Sequence, residues 1–75
     1  MNDLEQTADI IRRRRKELGL SQRELGERVG VQPTTISRWE TGQGYPDQGL
    51  VARLAMELGI TTDELFGTMY KVERN

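Results

Sequence analysis

Seventy-five residues suffice for one compact domain with a modest core. The chain has neither cysteine nor histidine, which removes disulfides, thiolate metal sites, the commonest zinc ligand and the commonest general base. A formal charge of −1 speaks against a strongly basic, phosphate-coating surface, because DNA-binding domains are usually basic.

The charge is unevenly spread. Residues 1–40 hold eight Lys/Arg against seven Asp/Glu, and residues 41–75 hold three against five, so the N-terminal part is the better candidate for a polyanion-facing surface. Apolar runs of two or three residues fall far short of the ~20 that span a bilayer. The acids and amides before Ile10 do not look like a signal peptide, and the cytoplasm is the expected compartment.

In chain order, an apolar seam at Leu4, Ala8, Ile11, Arg15 and Leu18 has helical spacing and predicts a first helix over about Asp3 to Leu18, ended by Gly19. Ser21-Gln-Arg-Glu24 forms a capping box, with Leu20 and Leu25 as a hydrophobic staple, and opens a second helix to about Arg28. Gly30 stops it. Gln32 is a poor cap, but Pro33 stands where the first helical residue needs no amide hydrogen, so a third helix is expected over about Pro33 to Glu40. Val31 and Ile36 supply its staple, and Gly42 follows its end.

After the loop Thr41 to Pro46, a fourth helix is expected to bury Leu50, Leu54, Ala55 and Leu58 and to stop at Gly59. Thr61-Thr-Asp-Glu64 repeats the capping box, with Ile60 and Leu65 around it, and starts a short fifth helix running to about Gly67. No stretch alternates as a strand does. The expectation is an all-α, five-helix single domain over residues 1–75, with its core within about 3–67 and a tail at 68–75.

About four residues, Val29 to Gln32, separate the second and third helices, which forces them to cross near 90–120° rather than lie antiparallel. Gly26 permits close approach, and Leu25, Val29, Val31, Ile36 and Trp39 supply apolar filling. This is helix-turn-helix spacing. The segments Glu17-Leu-Gly-Leu-Ser-Gln-Arg-Glu-Leu25, Val29-Gly-Val31, Thr35-Ile-Ser-Arg-Trp-Glu40 with Gly42, Leu54-Ala-Met-Glu-Leu-Gly-Ile60 and Asp63-Glu-Leu65 resemble the phage lambda repressor/Cro-like, or XRE, helix-turn-helix family. The likeness spans roughly residues 8 to 67.

The resemblance implies that the third helix enters the major groove of double-stranded DNA while the second crosses above it. It assigns base-edge contacts to Gln32, Pro33, Thr34, Ser37 and Arg38. A guanidinium such as that of Arg38 pairs with guanine O6 and N7 together, and Gln32 is suited either to adenine or to bracing a neighbour. Thr34 and Pro33 are suited to a thymine methyl. Pro33 departs from the polar residue of several lambdoid repressors, which points to readout by shape there. The resemblance also assigns phosphate contacts to Gln22, Thr41, Gln43 and Tyr45, and pairs Arg15 with Glu40 as a structural ion pair.

Other prominent residues carry plainer readings. Arg12 to Lys16 point all around a helix axis, so Arg12, Arg13 and Lys16 read first as solvated surface. Trp39, beside Ile36, reads as core. Asp63, Glu64 and Glu57 do not have metal-loop spacing, and neither a metal, a cofactor nor a small-molecule ligand is expected. Leu65, Phe66, Met69 and Tyr70 either seal the core or form a homodimer contact. The functional expectation is a sequence-specific, non-enzymatic regulator binding a pseudo-palindromic operator as a homodimer. An antitoxin with a toxin partner and a protein-interaction module without DNA binding stay open beside it.

Overall fold

In the computed structural model the described residues are 3–66, arranged as α1 (Asp3–Glu17), α2 (Gln22–Val29), α3 (Pro33–Glu40), α4 (Gln48–Leu58) and α5 (Thr62–Phe66). No strand occurs among them. Local chemistry sets the boundaries. The Ser21 hydroxyl accepts from the Glu24 amide at 2.9 Å while the Glu24 carboxylate accepts from the Ser21 amide at 2.8 Å. Thr61 and Glu64 repeat this at 3.0 and 2.8 Å. Asp47 caps α4 by accepting from the Leu50 amide at 3.1 Å, a start signal outside the capping-box pattern because Leu50, not Glu or Gln, stands three residues on.

Leu18 does not complete the α1 seam. The helix closes at Glu17, Gly19 takes a left-handed φ of 72°, and Leu18 is left 43% exposed. The turn at Gly19 swings the chain so that Leu20, not Leu18, packs against the core. On α4 the buried residues are Val51, Leu54, Ala55 and Leu58, and Leu50 lies only partly buried against them.

The core gathers Ile11, Leu25, Ile36, Leu54, Leu58 and Leu65 as fully buried side chains, one or more from every helix. α3 packs on α2 and α1, α2 also meets α4, and α5 closes the far side against α1 and α4. Arg14 adds a polar tie: its Nε and Nη2 donate to the carbonyl of Leu58 at 3.0 and 2.9 Å, satisfying an end carbonyl of α4.

The α2–α3 turn depends on Gly26. Its carbonyl accepts from the amides of Gly30 at 2.7 Å and Val31 at 2.8 Å, and a Cβ built on it would lie 2.6 Å from the Val31 carbonyl oxygen. The Cβ would meet backbone there, so no rotamer relieves the clash. Gly26→Ala is therefore expected to destabilise the domain by about 1–3 kcal/mol, as overpacking does. Urea unfolding reads this, and a midpoint equal to the wild type's refutes the close-approach account.

The Ser21 amide and hydroxyl hold the Glu24 carboxyl below its ordinary value, with Arg28 adding to the effect. A carboxyl whose folded value is depressed contributes stability at neutral pH, which is lost as pH falls through the unfolded and then the folded value. The stability difference between wild type and Glu24→Gln should therefore shrink steadily from pH 7 towards pH 3. A difference constant across that range counts against the capping box.

Candidate nucleic-acid interface

α3 is an eight-residue helix, far too short to persist alone in water. Ile36, Trp39 and Glu40 are its buried residues. On the remaining surface Gln32, Thr34 and Arg38 are exposed, and Pro33, Thr35 and Ser37 are half-buried. Thr34 and Arg38, four residues apart, share one face. Thr35 is the partly accessible α3 residue to which the family resemblance assigns no base contact.

Arg38 differs from most cations of the fold. Arg12, Arg13, Arg14, Arg15, Arg23, Arg28 and Arg53 each lie within 4.0 Å of a carboxylate. Asp9 alone accepts from both Arg12 and Arg13, at 2.9 and 3.0 Å. Among the described residues Arg38 and Lys16 have no such partner. The exposed surface of α3 thus carries one uncompensated guanidinium and no exposed acid.

Behind this face lies Glu40, only 2% exposed. Arg15 donates to it through Nε to Oε2 and through Nη2 to Oε1, the latter at 3.0 Å, and its Nη1 reaches the Leu20 carbonyl at 2.9 Å. The hydrogen bond to Glu40 raises the Arg15 guanidinium above its ordinary value, against the opposing effect of burial. A third donor comes from Gln22, whose Nε2 lies 3.1 Å from Glu40 Oε1. No buried side-chain nitrogen or oxygen among the described residues is left unpaired.

The residues assigned to phosphate are differently placed. Gln22, the first residue of α2, is half-buried with its amide on Glu40. The Thr41 hydroxyl contacts the Ser37 and Arg38 carbonyls at 2.9 and 3.3 Å and accepts from Gln43 Nε2 at 3.0 Å. Tyr45 is 38% exposed. Thr41 and Gln43 therefore form a small closed network that shapes the loop after α3. The residue pattern contains no sign that Gln22 meets Glu40, which stands 18 positions further on.

Leu65 does not serve a dimer contact: it is fully buried among the core side chains, so no surface of it remains for a partner. The Phe66 side chain, Met69 and Tyr70 lie outside the described residues.

Residues 11–65 match the helix-turn-helix family. The chain belongs to the lambda-repressor-like, or XRE, helix-turn-helix family of DNA-binding regulators. An HTH-type transcriptional regulator of Methanothermobacter thermautotrophicus is 52% identical over 50 residues, covering 67% of this chain and 72% of that protein. The P22 c2 repressor, crystallised with a synthetic operator, superposes with a TM-score of 0.80 at 34% identity over 81% of this chain and 92% of its own. The restriction-modification controller protein C.AhdI of Aeromonas hydrophila gives a TM-score of 0.77 at 31% identity over 85% of this chain and 93% of its own.

Removing one partner of a buried pair leaves an uncompensated charge. Arg15→Met is thus expected to cost about 3–5 kcal/mol, and the double variant Arg15→Met/Glu40→Leu to recover much of that loss. Urea unfolding of the two singles and the double measures the coupling. Strictly additive losses would mean the two residues act independently.

Proposed function

We propose that this protein is a sequence-specific transcriptional regulator, a repressor or autoregulator, that binds a pseudo-palindromic operator as a homodimer with α3 in the major groove. The observation that carries the reading is the face of α3: Arg38 exposed and without an ion pair among the described residues, flanked by Gln32, Thr34 and Ser37, on a helix braced from behind. A free guanidinium reads guanine through O6 and N7, whereas a paired one would first have to give up its carboxylate. Gln32 and Thr34 extend the base-reading row, and Pro33 contributes shape at its start.

Phosphate contacts are assigned to Gln22, Thr41, Gln43 and Tyr45, around the two ends of the helix pair. All four are neutral. In this arrangement positioning rests on hydrogen bonds and helix termini more than on counterion release. The cytoplasm is the compartment that goes with such a role. A dimer places two α3 helices about one helical turn of DNA apart, and the apolar residues Phe66, Met69 and Tyr70 are its proposed contact. Dimeric binding also offsets the weak attraction expected of a monomer with a net charge of −1.

Selection of duplexes from a random pool, followed by mobility shift, tests the reading. Arg38→Ala is expected to lose about 1–3 kcal/mol of discrimination at one base pair of each half-site. Equal weakening on all sequences, with the salt slope reduced by about one, would make Arg38 a phosphate contact instead. A folded protein that shifts no duplex even at low salt overturns the DNA reading and leaves the protein-interaction alternative. Sedimentation of wild type and Phe66→Ala examines the dimer separately; unchanged self-association removes Phe66 from the contact.

A further inference from the structure

The helix pair that presents Arg38 is held at both ends, and only one of those ends is covalent. Where α2 finishes and α3 begins, the chain itself makes the join: Gly26 accepts from Gly30 and Val31, and its missing side chain lets the turn close. At the opposite end the first residue of α2, Gln22, faces the last residue of α3, Glu40, and donates to it at 3.1 Å. The two stand 18 positions apart in the chain, so no short backbone connection joins this end.

We propose that Gln22 is a positioning residue for the recognition helix: its amide clasps the start of α2 to the end of α3 through Glu40 and sets the angle at which the α3 face is presented. Three features carry this. Glu40 is a fixed anchor, because it is buried and gripped by both Arg15 Nε and Nη2. Arg15 in turn holds the Leu20 carbonyl at 2.9 Å, two residues before Gln22, so the approach to α2 is tied to the same carboxylate. Finally, the contact lies at the end of the helix pair away from the Gly26 turn, where a small displacement changes the angle most.

The role differs from a phosphate grip. A phosphate contact strengthens binding to every sequence alike, whereas a clasp on the α3 angle acts on discrimination, since base-edge hydrogen bonds weaken steeply with misalignment. This consequence for discrimination rests on the operator-binding reading of the preceding section. The angle itself does not, and it is measurable without DNA.

The test compares wild type, Gln22→Met, which keeps length but has no donor, and Gln22→Lys, which restores a donor to Glu40. Residual dipolar couplings of the free proteins report the orientation of the α3 amides relative to α1 and α4. They are expected to shift or average down in Gln22→Met and to return towards wild type in Gln22→Lys. On selected against scrambled duplex at one salt concentration, the ratio of affinities should fall about tenfold in Gln22→Met, the scale of one lost hydrogen bond, and recover in Gln22→Lys. Unchanged α3 couplings in Gln22→Met, with specific and scrambled binding falling together, would overturn the clasp in favour of a phosphate contact alone. If wild type itself binds no duplex, that failure belongs to the operator reading and the couplings still decide the clasp. Should Gln22→Met not fold, Gln22→Asn replaces it, with an amide too short to reach Glu40 and the same expected outcomes.

Discussion

The fold turns on one buried carboxylate. Glu40 ends α3 with almost no exposure, a place where two effects oppose a negative charge: desolvation, and the partial negative end of the helix itself. Neither is relieved by solvent. The cost is met by a fork of two Arg15 N–H groups and the Gln22 amide, which together bring α1, the start of α2 and the end of α3 to one point. Replacing a buried pair by apolar residues of similar volume often costs little or even stabilises, so net stability is a weak reason for its presence. What apolar filling lacks is direction. The fork and the amide favour one relative placing of three helices, whereas the apolar core cluster that holds Ile36, Trp39, Leu25 and Ile11 is non-directional.

That distinction explains which parts of the molecule were legible in the residue pattern. Both capping boxes, Pro33 at the start of α3 and the stop at Gly59 depend on groups within a few residues of one another, and they lie where local chemistry puts them. So does Gly26, whose need arises from a turn five residues away. The five helices and the helix-turn-helix followed from these. Leu18 was misplaced because helical periodicity extends smoothly past Glu17, while the chain turns at Gly19 and hands the inward position to Leu20. For Leu65 the residue pattern left core and dimer contact both open, because composition does not show that α5, packed on α1 and α4, buries it whole.

The interface was legible in outline and opaque in its bonding. Gln32, Thr34 and Arg38 are exposed because Ile36 and Trp39, at fixed offsets, are drawn inward; that is periodicity. Gln22 meeting Glu40, or Gln43 meeting the Thr41 hydroxyl, depends on which of several nearby acceptors an amide finds once the helices are assembled. Thr7, buried near the start of α1, stands three residues after Leu4 and four before Ile11, so spacing does place it on the inward seam; its polar side chain is what leaves it out of an apolar pattern.

The net charge of −1 is a sum over a molecule in which most positive charge is already engaged. Asp9 holds two arginines of α1, Glu57 draws Arg53 and Arg28, and Glu40 takes Arg15. A guanidinium beside a carboxylate contributes little field beyond a Debye length of about 8–10 Å, so these pairs drop out of the potential that a distant polyanion meets. What remains on the α3 side is local. Between residues 32 and 41 the acid is Glu40, buried and compensated, and the base is Arg38, exposed and unpaired among the described residues. The face is therefore positive where the total is negative. With one cation on it, weak attraction to phosphate leaves discrimination between sequences to depend on where that guanidinium is held, and so on the angle of the short helix that carries it.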